Sequence, residues 1–453
     1  MQKNLHIIII LISISTGISN LVPAQPIAAC YYRSWISLPA PDKIEFNNLT
    51  HIIQAFAWPD TDGSISLSKG VPNQALIQAV HSANKKILLS FGGLGNSVGF
   101  GVMTSDSIYR RNFINNVVNI LSGNNYDGID IDWEYPSNQQ GGQLTVLVKE
   151  LRQKFNSVNT CWLITMAVPP NSFYGQNYQY ENMINYVDWF SIMTYGYHGA
   201  FSGHSGHNAP LYQSLQDNDG AVSYSVGYMY FTRKVPQNKL LLGIPFFGIG
   251  FNTAGLYQPF TGSVPDLSFT QATDTLRTGG WNYKWDTVSA VPYLQNRSHP
   301  GLITFNDTMS VRLKTEYSFS KNLGGIMVWA LDQDMIDNGQ PLLETIGNTI
   351  RNHGSTGIEN GTPSGPALFN LYNNYPNPFN PSTIIKFSLS EYSGVKLIIY
   401  DVLGREIETL LNGSFTTGIH SIIFDGSKFP AGIYFYVLST DTKSICKKMI
   451  LLK

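Results

Sequence analysis

The chain has few charged residues and few cysteines. Charged side chains make up 13% of its 453 residues, and the net charge at pH 7 is −1. A dominant electrostatic attraction to nucleic acid or to an acidic membrane is therefore not expected. The three cysteines, Cys30, Cys161 and Cys446, show no zinc-binding spacing. Because Cys30 and Cys161 lie in predicted strands, we expect free buried thiols rather than a disulfide.

Long hydrophobic runs are also lacking. The apolar stretch of residues 5–14 follows Lys3 and is too short for a membrane-spanning helix, and no later segment reaches about 18 apolar residues. Residues 22–24, VPA, offer a small-residue cleavage site. The sequence therefore predicts a signal peptide over residues 1–24 and an exported protein without stable membrane insertion.

Apolar strand-like runs alternate with helical stretches from residue 27 onward. Eight such runs predict an α/β fold, a parallel (β/α)8 TIM barrel over residues 26–352. Residues 251–307 are long for the connection between the seventh and eighth strands, so we expect a modest insertion subdomain there. The runs are IAACYY, THIIQAFA, KKILLSFGG, YDGIDIDWE, CWLITMAVP, DWFSIMTY, KLLLGIPFFG and GGIMVWAL.

The C-terminal part of the chain has a different pattern. Residues 353–366, HGSTGIENGTPSGP, are rich in glycine and proline and predict a linker. Beyond it, short β-patterned runs separated by turn residues predict a small all-β, immunoglobulin-like sandwich over residues 367–453. The whole chain is expected to be a monomer.

Acidic residues are concentrated in the segment DGIDIDWEYP, residues 127–136. Asp130, Asp132 and Glu134 alternate with apolar residues, so a period of two places their carboxyls on one face of a strand. Neighbouring carboxyls at this spacing share a proton and shift each other's pKa. Glu134, at the end of the fourth predicted strand, is therefore the candidate general acid, with Asp132 and Asp130 successively deeper. Asp127 has the opposite parity and is expected to be structural.

This segment resembles the DxxDxDxE signature of glycoside hydrolase family 18, the chitinase-type hydrolases. The resemblance implies a chitinase that binds chitin or chitooligosaccharides, hydrolyses β-1,4-linked N-acetylglucosamine polymers, and needs no cofactor and no metal. It also implies a substrate-assisted, retaining mechanism, in which the substrate's 2-acetamido oxygen attacks the anomeric carbon and forms an oxazolinium ion. In that mechanism Glu134 is the acid/base, Asp132 orients the acetamido N–H, Asp130 tunes Asp132, and Tyr195 binds the acetamido carbonyl.

Further positions match residues that line the substrate cleft in this family. Gly92 and Gly93, in the motif SFGG that begins with Ser90, match a third-strand motif where glycine lets the backbone approach the sugar. Trp329 matches a tryptophan at the floor of the subsite for the scissile sugar. Tyr135 and Met193 are expected to touch ligand. The expected substrate-binding residues are Tyr31, Trp35, Phe56, Gly92, Gly93, Tyr135, Met193, Met327 and Trp329, with a plain core position open for Phe56 and Met327.

Four positions depart from the family pattern, and these departures bear on substrate affinity and on the pH profile. Two alternatives to a chitinase remain open: an endo-β-N-acetylglucosaminidase acting on N-glycans, and a non-catalytic chitinase-like lectin. The presence of Glu134 argues against the lectin, because non-catalytic relatives typically lose that acid. The departures are Gly196 in place of Asp, Phe247 and Ile249 in place of the usual GxPxYGR residues, and Leu94 in place of a frequent Trp.

The C-terminal segments NYPNPFNPSTIIKFSL, FPAGIYFYVL and KKMILLK are similar to the sorting domain of bacterial type IX secretion cargo. The resemblance implies the type IX machinery as a partner, removal of the tail, and a secreted, extracellular or cell-surface protein. A carbohydrate-binding accessory domain is the alternative.

Two histidines have a spacing that is found in some metal sites. His204 and His207 have H-x-x-H spacing in a glycine-rich loop, but no acid or cysteine pattern lies nearby in the sequence. Zinc sites draw on four ligands of these types. We therefore predict no metal site there.

Overall fold

The structure is a computed structural model. It describes residues 26–355 except 215, and residues 369–452 except 373, 375–376, 390–392, 416–417 and 441–442. The predicted signal peptide and residues 356–366 of the predicted linker lie outside the described residues. The chain divides into two compact units between residues 357 and 358.

The first unit is built on a closed sheet of parallel strands. Eight strands pair in the order β1-β14-β8-β7-β6-β5-β4-β2, and β2 pairs with β1 to close the barrel. All eight predicted strands are present, so the TIM barrel is confirmed. The strands of this unit are β1 (Ile27–Arg33), β2 (His51–Pro59), β3 (Ile65–Leu67), β4 (Lys86–Gly92), β5 (Gly128–Asp132), β6 (Leu163–Val168), β7 (Trp189–Ile192), β8 (Leu240–Pro245), β9 (Phe247–Phe251), β10 (Asp266–Ser268), β11 (Trp281–Asp286), β12 (Val291–Asn296), β13 (Leu302–Thr304) and β14 (Gly325–Trp329).

Helices connect the strands and share a large apolar core with them. No helix in the described part of the chain is long and apolar enough to cross a membrane. The helices are α1 (Gln74–Ser82), α2 (Val98–Ser105), α3 (Ser107–Asn124), α4 (Gly141–Val158), α5 (Ser172–Gly175), α6 (Tyr180–Met183), α7 (Val222–Gly227), α8 (Phe269–Arg277), α9 (Thr308–Ser320) and α10 (Pro341–Ser355). Short turns of 3-10 helix lie at Pro41–Lys43, Phe46–Asn48, Gln237–Lys239 and Leu331–Gln333, and a π-helical turn lies at Tyr228–Thr232.

Alternation along the strands decides which side chains enter the barrel. On β5, Ile129 and Ile131 pack in the core shared with the helices. Asp130 and Asp132 are buried on the opposite face of the same strand, which is the face toward the barrel interior. The predicted period of two is therefore present, and Glu134 follows just beyond the carboxyl end of the strand.

An insertion subdomain lies between β8 and α9. It is an antiparallel sheet in the order β10-β9-β13-β12-β11, with α8 between β10 and β11 in the chain. Its first strand begins at Phe247, four residues before the predicted start, because only one residue separates β8 from β9. Ile249, Phe251 and Leu302 form its small apolar core.

Cys161 is a correction to the sequence analysis. The apolar run containing it was predicted to be a strand throughout, but β6 begins at Leu163 and Cys161 lies exposed in the preceding turn. Cys30 is buried in β1 as expected, and both thiols are free.

The second unit consists of two antiparallel sheets around one apolar core. The sheets have the orders β15-β16-β19 and β18-β17-β20-β21. The six predicted strands are present, and the two-residue β15 is too short to show a pattern in the sequence. Its strands are β15 (Asn370–Leu371), β16 (Ser382–Leu389), β17 (Ser393–Tyr400), β18 (Glu406–Phe415), β19 (Gly418–Asp425), β20 (Gly432–Ser439) and β21 (Ser444–Leu451).

Candidate active site

Asp130 lies deepest of the three acids and is surrounded by hydroxyl groups. Tyr31 and Ser90 donate hydrogen bonds to its Oδ2 at 2.7 and 2.8 Å, and Thr165 donates to its Oδ1 at 2.6 Å. Burial raises the pKa of Asp130, and the three hydrogen bonds oppose that rise. Asp130 is thus fixed in place by β4 and β6, which flank β5, and by β1, which lies further around the barrel.

Asp132, unlike Asp130, has a carboxyl oxygen that is not hydrogen-bonded to a described residue. Its Oδ1 atom is buried and has no hydrogen-bond partner within the described part of the chain. Burial raises the pKa of Asp132 well above its usual range, and the charges of Glu134 and then Asp130 raise it further. A buried acceptor without a partner is energetically costly. Asp132 is therefore the member of the group best able to accept a hydrogen bond from a ligand.

Glu134 is half-buried at the mouth of the barrel. Its backbone N–H donates to Ser97 Oγ at 3.0 Å, which fixes the chain just after β5. Burial raises the pKa of Glu134, and hydrogen bonds from the Tyr135 side chain and the Leu94 backbone oppose the rise. A raised pKa keeps this carboxyl protonated at a higher pH than an ordinary glutamate, which is what a general acid requires.

Tyr195 lies beside these acids, three residues beyond the end of β7. Its pKa is raised by burial and then by the charges of Asp132 and Glu134. The Tyr195 hydroxyl lies 3.9 Å from Met327 Sδ, so it is left with a weak partner. The structure thus brings the four predicted catalytic residues, Asp130, Asp132, Glu134 and Tyr195, to the same end of the barrel.

Aromatic rings form a continuous row next to the acids. The Trp35 and Phe56 rings stack at 5.9 Å, and the Phe56 and Trp329 rings stack at 5.7 Å. Tyr31, which binds Asp130, packs against Trp329 at 5.1 Å. Trp35 is 39% exposed at the outer end of the row, whereas Phe56 is buried. The row therefore runs from the barrel interior to solvent and offers flat apolar surface of the kind that sugar rings stack on.

The remaining predicted binding residues lie around the same opening. Tyr135 stacks on Tyr174 at 4.0 Å between ring centres. Met193, buried among the interior side chains, belongs to the same apolar cluster as Tyr135, Tyr195 and Trp329. Met327 is fully buried and contacts the Tyr195 hydroxyl.

The glycines of the SFGG motif are required by the protein's own packing. Gly92 and Gly93 have φ values of +118° and +88°, which side chains rarely adopt. A Cβ at Gly92 would lie 2.2 Å from the Asp132 carbonyl oxygen, and one at Gly93 would lie 2.5 Å from the Phe56 ring. The close approach of this backbone to a sugar stays a prediction.

The positions that depart from the family pattern differ in exposure and in packing. Leu94 is 83% exposed at the mouth of the barrel. Gly196 is exposed with φ +68°, a Cβ there would meet open space, and its N–H donates to Asn208 Oδ1 at 2.9 Å. Phe247 packs edge-on against the Tyr195 ring at 5.8 Å.

Sequence reasoning missed several residues that support the site. Hydrogen bonds join Asp130 to Thr165, the Glu134 backbone to Ser97, and the Gly196 backbone to Asn208. The Tyr135 ring stacks on Tyr174. Of these, Thr165 had a signal, since it is a polar residue of inward parity in an apolar strand. The other three come from loops or short helices, where the sequence has no period. Non-proline cis peptides lie at Ala55–Phe56, Glu134–Tyr135 and Trp329–Ala330, and nothing in the sequence indicates them.

His204 and His207 do not act together. His207 Nε2 lies 2.9 Å from Asp286 Oδ2, on the insertion subdomain. His204 lies instead with His198, Asp217 and Asp219.

Comparison with known proteins identifies relatives of both units. The family model for glycosyl hydrolases family 18 matches residues 27–334, and the model for the secretion system C-terminal sorting domain matches residues 373–452. Chitinase A1 of Niallia circulans is 32% identical over 286 residues, 55% of this chain and 41% of that protein. Probable chitinase 2 of Drosophila melanogaster is 26% identical over 68% of this chain and 72% of that protein.

Solved structures agree with this assignment. The Ostrinia furnacalis Group IV chitinase in complex with allosamidin has 28% identity and a TM-score of 0.66, covering 73% of this chain and 99% of that one. Human YKL-39, described as a pseudo-chitinase with retained chitooligosaccharide binding, has 26% identity and a TM-score of 0.66, covering 72% of this chain and all of that one.

The C-terminal unit is a secretion sorting domain, which indicates type IX export to the cell surface or beyond. Because the matched region exceeds half of the chain and contains all four acidic and tyrosyl site residues, the chain belongs to glycoside hydrolase family 18.

Proposed function

We propose that the protein is a secreted chitinase that hydrolyses β-1,4-linked N-acetylglucosamine polymers by a substrate-assisted, retaining mechanism. The observation that carries this proposal is the contrast between the two outer acids. Glu134 is half-buried with a raised pKa at the barrel mouth, and Asp132, one step deeper, has a buried oxygen without a partner. One group suits proton donation and the other suits binding of an amide N–H.

In the proposed reaction Glu134 donates its proton to the glycosidic oxygen as the bond to the anomeric carbon breaks. The substrate's acetamido oxygen attacks the anomeric carbon, and its N–H donates a hydrogen bond to Asp132. The weakly bound Tyr195 hydroxyl holds the acetamido oxygen. Glu134 then takes a proton from water, which opens the oxazolinium ion with overall retention of configuration.

The aromatic row supports a neutral, sugar-ring substrate. Trp35, Phe56 and Trp329 offer apolar faces without bringing charge into the opening. With a net charge of −1, the protein has no strong field to attract a charged polymer.

A binding-only role is the second candidate, because human YKL-39, a pseudo-chitinase, is similar over 72% of this chain. Mature protein should be incubated with chitooligosaccharides of about four to six sugars and, separately, with a high-mannose glycoprotein. The products of each incubation are identified by mass spectrometry. We expect shortened chitooligosaccharides and an unchanged glycoprotein. Binding without cleavage would support the lectin, and release of glycan alone would support the endoglycosidase.

The Glu134→Gln variant tests the acid directly. Because glutamine keeps the shape but has no proton to donate, turnover should fall by at least about 10²-fold with chitooligosaccharide binding retained. Glu408→Gln, the same change at an exposed position of the second unit, is the matched control and should leave turnover unchanged. If Glu134→Gln keeps more than half of the activity, Glu134 is not the acid.

A further inference from the structure

A cluster of metal-ligating side chains lies in the loop that joins β7 to α7. His198, His204, Asp217 and Asp219 each direct one ligand atom to a common centre, and these four atoms lie within 4.8 Å of one another. His198 and Asp217 are buried, His204 is half-buried and Asp219 is exposed. None of these four residues is among the carboxylates at the barrel mouth or takes part in the proposed reaction.

Backbone groups fix the orientation of both imidazoles. His198 Nδ1 lies 3.0 Å from the His207 carbonyl oxygen, and His204 Nδ1 lies 3.0 Å from the Ser205 carbonyl oxygen. A carbonyl accepts only, so each Nδ1 carries a hydrogen, and each ring in its neutral form presents a lone pair at Nε2. This is the arrangement by which proteins prepare histidine for a metal ion.

One of the carboxylates is prepared in the same way. Asp217 Oδ1 accepts a hydrogen bond from the Asp219 backbone N–H at 2.9 Å, which leaves Oδ2 directed to the centre. His198 Nε2 lies 3.3 Å from Asp217 Oδ2 and 3.2 Å from Asp219 Oδ2. His198 Nε2 is nevertheless buried without an aligned hydrogen bond to any described residue. With a neutral ring the Nε2 lone pair would face the carboxylate oxygens at this distance, and either a proton on Nε2 or a bound metal cation relieves that repulsion.

Three of the six distances among the four ligand atoms are close to those around a tetrahedral ion. Zinc bonds of about 2.0–2.1 Å place neighbouring ligand atoms about 3.3 Å apart. The distances from His198 Nε2 to the two carboxylates match this edge, and the distance from His204 Nε2 to Asp219 Oδ2 is 3.7 Å. Two imidazoles with two carboxylates favour zinc and its neighbours in the transition series over magnesium or calcium, which prefer oxygen ligands alone.

We propose that His198, His204, Asp217 and Asp219 bind one divalent transition-metal ion of the zinc class, which fixes the loop following Tyr195. The sequence does not indicate this site, because the two acids follow the histidines by more than ten residues. In addition, His207 of the H-x-x-H pair is not one of the four ligands. Two neutral imidazoles and two carboxylates also balance the charge of a divalent ion. The site is structural, since all four protein ligands complete its coordination.

The test uses the full mature chain without a histidine tag, treated with a chelator and then dialysed. Zn²⁺ is titrated calorimetrically into wild type, His204→Gln and Asp219→Asn, both at accessible positions so that folding is retained. His299→Gln and Asp274→Asn make the same changes at exposed positions outside the cluster and serve as controls. Far-ultraviolet circular dichroism verifies that all five proteins are folded.

We expect one Zn²⁺ per chain in wild type and in both controls, with affinity at least about 100-fold weaker in each cluster variant. The thermal midpoint should rise on adding Zn²⁺ in wild type and controls, and less in the cluster variants. Absence of binding, or binding undiminished in both cluster variants, would overturn the proposal. The imidazoles and carboxylates would then hold one another through a shared proton. Neither readout depends on hydrolysis, so the result is independent of the proposed function.

Discussion

Asp132 occupies the central position among the proposed catalytic acids. It lies between Asp130, whose oxygens are bound by three hydroxyls, and Glu134 at the barrel mouth. The three acids therefore differ in the hydrogen bonds that they can make to a substrate, although they are regularly spaced in the sequence. Asp130 is held by the protein, Asp132 has an acceptor available, and Glu134 is nearest to solvent.

The Asp132→Asn variant should lose at least about 10²-fold in kcat, because the amide group is a poorer acceptor for the acetamido N–H and cannot share a proton with Glu134. Removing a neighbouring negative charge lowers the pKa of Glu134, so the fall in rate at high pH should move to lower pH. The pH dependence of kcat/KM on a chromogenic chitobioside measures both effects. Asp274→Asn, exposed on α8, is the control, and an unchanged pH profile in Asp132→Asn would show that the two acids are uncoupled.

Gly196 is the departure that the structure makes testable. An aspartate there would enter open space beside Tyr195, and aspartate tolerates the positive φ of +68° better than most residues. A negative charge near the developing positive charge should raise kcat or shift the pH profile. Gly196→Asn has the same size and backbone tolerance without charge, so it should change neither quantity. Equal behaviour of the two variants would mean that position 196 is electrostatically remote from the reacting sugar.

At the scale of elements, a carboxylate from outside the helix caps α10. Asp334 is buried, and its two oxygens accept hydrogen bonds from the N–H groups of Leu342 and Leu343 at 3.0 and 2.8 Å. These groups belong to the first turn of the helix, where no intrahelical acceptor is available. Because α10 packs on α9 and supplies buried leucines to the main core, this cap holds the last helix of the first unit in place.

Asp334→Ala should lower the free energy of unfolding by about 1–3 kcal/mol, since two buried donors lose their acceptor. Asp274→Ala, at an exposed position of α8, should cost less than about 0.5 kcal/mol. Urea unfolding followed by tryptophan fluorescence compares the two variants. If both cost the same, water replaces the Asp334 carboxylate.

Elements with a regular period could be predicted, and those defined by loops could not. The barrel strands are buried on both faces, so their apolar runs stand out, and the acids of β5 interrupt such a run with a clear period of two. Cys161 could not be placed from the sequence, because the apolar run begins in an exposed turn before the hydrogen-bonded strand. The cluster of His198 and Asp217 could not be predicted either, since a loop without a period brings these residues together.

At the scale of the whole molecule, the two units have separate apolar cores. The barrel core draws on residues up to Ile350, and the sandwich core draws on residues from Leu371 onward. Every residue that we assign to catalysis belongs to the first unit, whereas the sorting-domain match lies entirely in the second. The proposed catalytic residues and the sorting domain therefore lie in different parts of the chain.

A chain of residues 25–355 produced in a host without type IX secretion should hydrolyse chitooligosaccharides with the same kcat/KM as the full mature chain, because it keeps the complete barrel core. In a host with that machinery, deleting residues 367–453 should leave active enzyme in the periplasm. Mass spectrometry of the secreted wild type should place its C-terminus within or near residues 353–366. A secreted enzyme that retains its tail, with the isolated tail binding chitin, would identify the second unit as a carbohydrate-binding module instead.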